Sequence, residues 1–227
     1  MIRGPRSVLA LAVLSLAPAL PAAAEPVDLY GRQIEFFLPM GYCYLDESQA
    51  AEKMVVDNVV QMNQGSNDLV AYFAPCNDLV AYRAGAIVTL SEYGIVFVPL
   101  VNGSFEPAPT PRAESLPQIA ASMPALDEAL LAQIEQDVNQ NPAGFTLSGT
   151  QFLGVIGQDA NAIYAGMVAE VSDGQTSVPA AGVLAITQLQ DVVLTINLYR
   201  TYLSNADIVA LLTEVESYAG ELVAANP

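Results

Sequence analysis

Four segments rich in β-branched and apolar residues, 146–158, 162–171, 178–188 and 192–202, follow one another with connections of only a few residues. Such short links cannot carry a crossover, so the four must pair as antiparallel neighbours. The connections Asp159-Ala160-Asn161, Asp173-Gly174 and Gln190-Asp191 have turn chemistry. In the last strand Val192, Leu194, Ile196 and Leu198 alternate with Thr195, Asn197, Tyr199 and Thr201, predicting one core face and one semi-polar face. Gly149-Thr150 and Gly154 to Gly157 fall inside the first strand without a following helix, which suits strand bending better than a phosphate cradle.

A meander with one apolar face needs a cover. Ser204 and Asp207 have capping-box spacing ahead of Ile208, Leu211, Leu212, Val215, Leu222 and Val223, a helical stripe that fits across that face. Upstream, Ser115 and Gln118 have the same spacing, and Leu126, Leu130, Leu131, Ile134 and Val138 predict a helix to about Gln140, ended by Asn141-Pro142. Nearer the amino end, 34–38 reads as a strand. A helix with Asp46 or Ser48 as cap and an Ala51, Met54, Val55, Val59, Met62 stripe follows it. Next come a strand over 69–74, a helical turn from Pro75-Cys76 to Arg83, and a strand over 93–101 ended by Asn102-Gly103. Residues 67–72 and 77–82 are the same hexapeptide, Asn-Asp-Leu-Val-Ala-Tyr, so propensity alone cannot make one a strand and the other helical. The order of elements predicts an α+β fold, an antiparallel meander packed by helices.

Residues 1–24 carry Arg3 and Arg6, an apolar run from Val8 to Leu20, then Pro21 and three alanines before Glu25. This is the pattern of a secretory signal cleaved between Ala24 and Glu25. The 13-residue run reaches only roughly 20 Å, short of a hydrocarbon core of roughly 30 Å, so a membrane span is not expected. Residues 25–227 then form one domain, with an exposed proline-rich connection at about 104–117 holding Pro107, Pro109, Pro111 and Pro117. Export to the periplasm or beyond, from a bacterium, exposes Cys43 and Cys76 to an oxidising compartment, where only one disulfide pairing exists. Closing a loop of 33 residues stabilises the fold by roughly 3 to 4 kcal/mol in the chain-entropy picture.

Composition narrows function mainly by exclusion. Seven basic residues against 24 acidic give a net charge of -17, falling to about -19 without the signal, which repels nucleic acid and anionic membranes. There is no histidine, the usual general base and ligand for zinc, copper or haem, and no cofactor or metal is expected. The lone lysine, Lys53, stands four residues before Asp57 and suits an ion pair better than a serine-lysine couple. Asp46-Glu47, Asp127-Glu128 and Glu135 with Asp137 are the nearest carboxylate pairs; none has calcium-loop spacing. Asn102-Gly103-Ser104 matches a glycosylation sequon to which no role is assigned. Ten tyrosines offer apolar area with a polar tip, and Tyr42, Tyr44 and Tyr199 are the candidate recognition surface.

Phe37-Leu38-Pro39-Met40-Gly41-Tyr42 before a helix, and a last strand feeding a capped carboxyl-terminal helix, resemble the PsbP/DcrB-like group, which includes exported bacterial proteins. The resemblance implies an α/β/α sandwich that binds or assists assembly, with no catalytic residues to carry over; the cysteine pair and proline-rich insertion depart from the group's pattern. The expected function is therefore an exported, soluble, non-enzymatic binding or envelope-assembly protein whose partner is a protein or a small apolar ligand. The alternatives are a carboxylate-dependent hydrolase and a weak calcium binder.

Overall fold

Alternating apolar strands and one strongly apolar helix solve the burial problem as layers. A computed structural model describes residues 25–123, 128–140, 146–172, 174 and 176–227, so the proposed signal and Ala24 lie outside the described residues. The fold is α+β. Strands β1 (Glu25–Leu29) and β2 (Arg32–Phe36) form a separate hairpin. The main antiparallel sheet contains β3 (Tyr42–Tyr44), β4 (Asn67–Pro75), β5 (Glu92–Pro99), β6 (Thr146–Gln158), β7 (Ala162–Ser172), β8 (Ser177–Leu189) and β9 (Val192–Thr201), in spatial order β3-β4-β5-β9-β8-β7-β6. The pairing of β5 with β9 joins the amino-terminal strands to the meander, and Thr187 and Gln190 each help tie its turns.

Helix α5 (Asn205–Ala225) opens with the expected capping box of Ser204 and Asp207 and buries Ile208, Leu211, Val215, Tyr218, Ala219, Leu222 and Val223. They meet Phe73, Val96, Val183, Ala185, Leu194, Ile196 and Leu198 from the sheet, with Ile34 and Phe36 of the hairpin closing the same core. Burying a side chain such as Leu211 or Leu222 stabilises the fold by roughly 1.5–3 kcal/mol. The opposite face carries a second core, in which Val56 of α1 (Ala50–Met62) and Leu79 of α2 (Cys76–Arg83) meet Tyr72, Ala74, Ile95 and Phe97. Helices on both faces give an α/β/α layering. Gly94 is required there: a Cβ would stand 2.2 Å from the Phe73 ring and 2.7 Å from Leu198.

Several local expectations need correction. Residues 25–38 hold two strands rather than one, because Tyr30-Gly31 turns the chain back. Helix α1 has neither Asp46 nor Ser48 as its cap; Gln49 precedes it, while Asp46 accepts the Ser48 N–H at 2.9 Å. Its buried line runs through Glu52 and Val56, with Met54 59% exposed, because Arg83 draws the Glu52 carboxylate inward. Ser115 does not begin a helix: α3 (Arg112–Ser122) starts earlier, and Ser115 bonds back to the Thr110 carbonyl from inside it. The carboxyl end of the 104–117 connection is thus helical, with Ser115 and Leu116 buried. The long helix expected to Gln140 is two helices, α3 and α4 (Glu128–Asn139); Leu126, Asn141 and Pro142 lie outside the described residues.

A walled strand edge as candidate functional site

Two adjoining hollows form an open groove built from three short segments. One wall is the carboxyl half of α1, with Asp57, Val60 and Gln61, continued by Gln64 in the turn after it; the other is the tip of the β1–β2 hairpin, Asp28 to Tyr30. Between them runs the start of β4, and the two adjoining hollows measure about 360 and 420 Å³. The floor is a strand edge. Strand β3 pairs with Phe73, Ala74 and Pro75, and the Leu45 N–H closes on the Tyr72 carbonyl, so, among the described residues, 67–71 have β5 as their sole neighbour in the sheet. An unpaired edge presents main-chain donors and acceptors ready for another strand. A bulge between Leu69 and Ala71 turns β4 at that point.

The hairpin tip is held under backbone constraint. Tyr30 (φ 55°) and Gly31 (φ 82°) both occupy the left-handed region, natural for glycine and costly for tyrosine. Three contacts hold Tyr30 there: its ring stacks on Phe105 at 4.1 Å, its hydroxyl donates to Asp68, and Asp28 accepts the Gly31 N–H at 2.8 Å. Burial, then the hydrogen bond to the Asp68 carboxylate, pushes the Tyr30 phenol up to about 12. Arg32 braces the same corner by donating to Asp191 at 2.7 Å while lying over the Phe105 ring. Among the described residues the groove is lined by Asp28, Asp57 and Asp68 and by no lysine or arginine. Lys53 reaches one of them, Asp57, at 2.6 Å, the expected i, i+4 pair.

The cysteines are bonded, with Cα atoms 4.9 Å apart, fastening β3 to the first turn of α2. Beside this staple Arg83 donates two hydrogen bonds to buried Glu52, at 2.7 and 2.8 Å, and Glu52 also accepts the Asp46 N–H. These bonds, that from Arg83 foremost, hold the Glu52 carboxyl below its ordinary range.

Tyr42, Tyr44 and Tyr199 do not share a surface. Tyr42 packs on the α5 side of the sheet and donates to Glu92, which with Glu214 brackets Arg200 at 2.8 and 2.9 Å. Tyr44, opposite Phe73, lies on that side too and is 50% exposed. Tyr199 lies on the other face, stacked on Tyr93 at 5.0 Å, and Tyr93 leans on Tyr72 at 5.7 Å. Burial pushes the Tyr199 phenol up to about 12.

Of the carboxylate pairs, Glu135 accepts the Thr150 N–H at 2.7 Å and Asp46 is spent on the turn before α1; Asp127 lies outside the described residues. Asp159 accepts the Asn161 and Ala162 N–H groups, making the turn expected of it. Among the described residues no three histidine, cysteine, aspartate or glutamate side chains gather as a metal site, and no helix is long and apolar enough to cross a membrane.

Sequence reasoning missed the groove residues Tyr30, Val60, Asp68 and Leu69. The Tyr30-Gly31 turn pair between two alternating segments was the one local signal available. No family model matches this chain, and no curated protein matches it.

Proposed function

We propose that this chain is an exported, non-catalytic binding or envelope-assembly protein of the bacterial periplasm or exterior, and that its partner docks in the groove between α1, the edge of β4 and the β1–β2 tip. The single observation carrying this reading is that, among the described residues, 68–71 remain unpaired on one side while both walls are built around them. A free edge in a stable domain invites aggregation unless it is covered or used, and here it is recessed instead of covered. The bonded Cys43–Cys76 pair is compatible with an oxidising compartment, and the leader at 1–24 supports export. The resemblance to the PsbP/DcrB-like group points the same way.

The test is affinity capture from envelope extract with three proteins: wild type, Val60→Arg in the groove wall, and Leu203→Arg on the exposed stretch before α5. Both altered residues are exposed, at 49% and 83%, so both variants should fold. A reproducible partner kept by Leu203→Arg and lost by Val60→Arg supports the reading. Equal capture by all three, or no capture, defeats it.

A further inference from the structure

Resting on that reading, we infer that the groove takes an extended segment of another protein chain that carries lysine or arginine, laid along the outer edge of β4 as an added strand. Four observations converge on this occupant. First, among the described residues, 68–71 make no main-chain bond across their outer edge, and a strand directs alternate N–H and C=O groups away from its one neighbour. That stretch is about 13 Å long, so it suits an extended segment and is short for a helix or a folded surface.

Second, the walls stand on opposite faces of the edge: Val60 comes from α1, on the side of the second core, whereas Leu29 and Tyr30 come from the hairpin, on the α5 side. Successive side chains of an added strand would point alternately to these two walls. Third, of the carboxylates that line the groove Asp57 is paired with Lys53, whereas Asp28 and Asp68 form no ion pair among the described residues, in a molecule of net charge -17. Complementary charge sets partner choice and speeds encounter, which selects a basic segment and disfavours a second copy of this acidic chain.

Fourth, the opposite edge of the sheet is unsuitable. The edge of β6 is already engaged by α4, where Asn139 accepts the Leu147 N–H and donates to the Leu147 carbonyl and Glu135 accepts the Thr150 N–H, and β6 carries three register shifts where β4 carries one. Of the two edges, only that of β4 is both short of a partner and walled.

The test uses the whole exported protein and three synthetic octapeptides: alternating valine and lysine, alternating valine and glutamate, and alternating proline and lysine. The last keeps the charge but removes every second main-chain donor. Binding is read by fluorescence anisotropy, and the site by amide exchange at Leu69 and Val70. The valine-lysine peptide should bind at least about tenfold more tightly than either other peptide and slow exchange at Leu69. Asp68→Lys and, separately, Val60→Arg should each weaken it about tenfold.

Equal binding of the proline-lysine peptide would reduce the effect to charge alone and overturn the added strand. Indifference to Asp68→Lys and Val60→Arg would move the site elsewhere. If no octapeptide binds while Val60→Arg still abolishes partner capture, the extended-segment inference fails and the docking groove stands. If capture is also insensitive to Val60→Arg, both fail.

Discussion

Asn-Asp-Leu-Val-Ala-Tyr occurs twice, ten residues apart, and folds once as strand, at 67–72 in β4, and once as helix, at 77–82 in α2. The contrast teaches what context contributes. The first copy follows the turn at Gly65-Ser66 and is drawn against β5, where Ala71 and Tyr72 are buried on opposite faces. The second follows Pro75, which ends β4 and precedes the helix with extended backbone, and Cys76, which the disulfide ties to β3. Asp78 then sits in the first turn, where a carboxylate favours the helix dipole, and Arg83 in the last.

Leu and Tyr stand three apart in both copies, a helical spacing. In a regular strand they would face opposite ways. The bulge at Val70 corrects this: Leu69 faces Phe97 and Tyr72 faces Ile95, both in the second core. The strand copy thus accepts a local irregularity to satisfy a helical pattern, and that irregularity lies at the floor of the groove.

The same truncation in both copies measures the difference. Leu79 is fully buried and Leu69 only partly, so Leu79→Ala should cost about 3–4 kcal/mol and Leu69→Ala about 1 kcal/mol in urea unfolding. Equal costs would mean that the copies are interchangeable in packing. Replacing both cysteines with serine should cost about 2–3 kcal/mol under non-reducing conditions and loosen the helix copy first, visible as faster amide exchange in α2 than in β4. Unchanged exchange in α2 would show that Pro75 and Leu79 suffice to hold the helix.

Arg83→Ala should cost roughly 2 kcal/mol at neutral pH, less than for a fully buried pair because Arg83 is 37% exposed. The sign of its pH dependence follows from Glu52, whose carboxyl is held low by Arg83. The stabilisation is complete above the ordinary glutamate value of 4.5 and disappears as acid titrates the folded carboxyl below it. A wild-type advantage that grows in acid would contradict the pairing. The smallest effect is expected of Pro75→Ala, about 0.5 kcal/mol, since it mainly frees the unfolded chain before α2. A larger loss in calorimetry would give Pro75 a share in choosing helix over strand.

Legibility in the sequence tracked how local the determining signal was. The meander emerged within two residues at each boundary because period-two alternation and turn residues agree there, and the Ser204–Asp207 box marked the start of α5. The buried line of α1 was misplaced because nothing near Glu52 shows that Arg83, 31 residues later, will pull it inward. The groove was invisible for the same reason. Its segments, 28–30, 57–64 and 67–70, are ordinary in isolation and acquire meaning only when β3 proves too short to cover β4.

The last helix carries a consequence for how the chain acquires its fold. Asn226, just beyond α5, accepts the Glu35 N–H and donates to the Glu35 carbonyl at 2.9 Å, joining positions 191 residues apart. Because α5 supplies a large share of the main core, a chain emerging amino end first cannot close that core until α5 has emerged. Loop closure on this scale makes the folding nucleus late and the folding slow compared with a helical bundle of equal size. Until then β4 and β9 stand uncovered, so the interval between emergence and docking of α5 is when this chain is most exposed to wrong pairing.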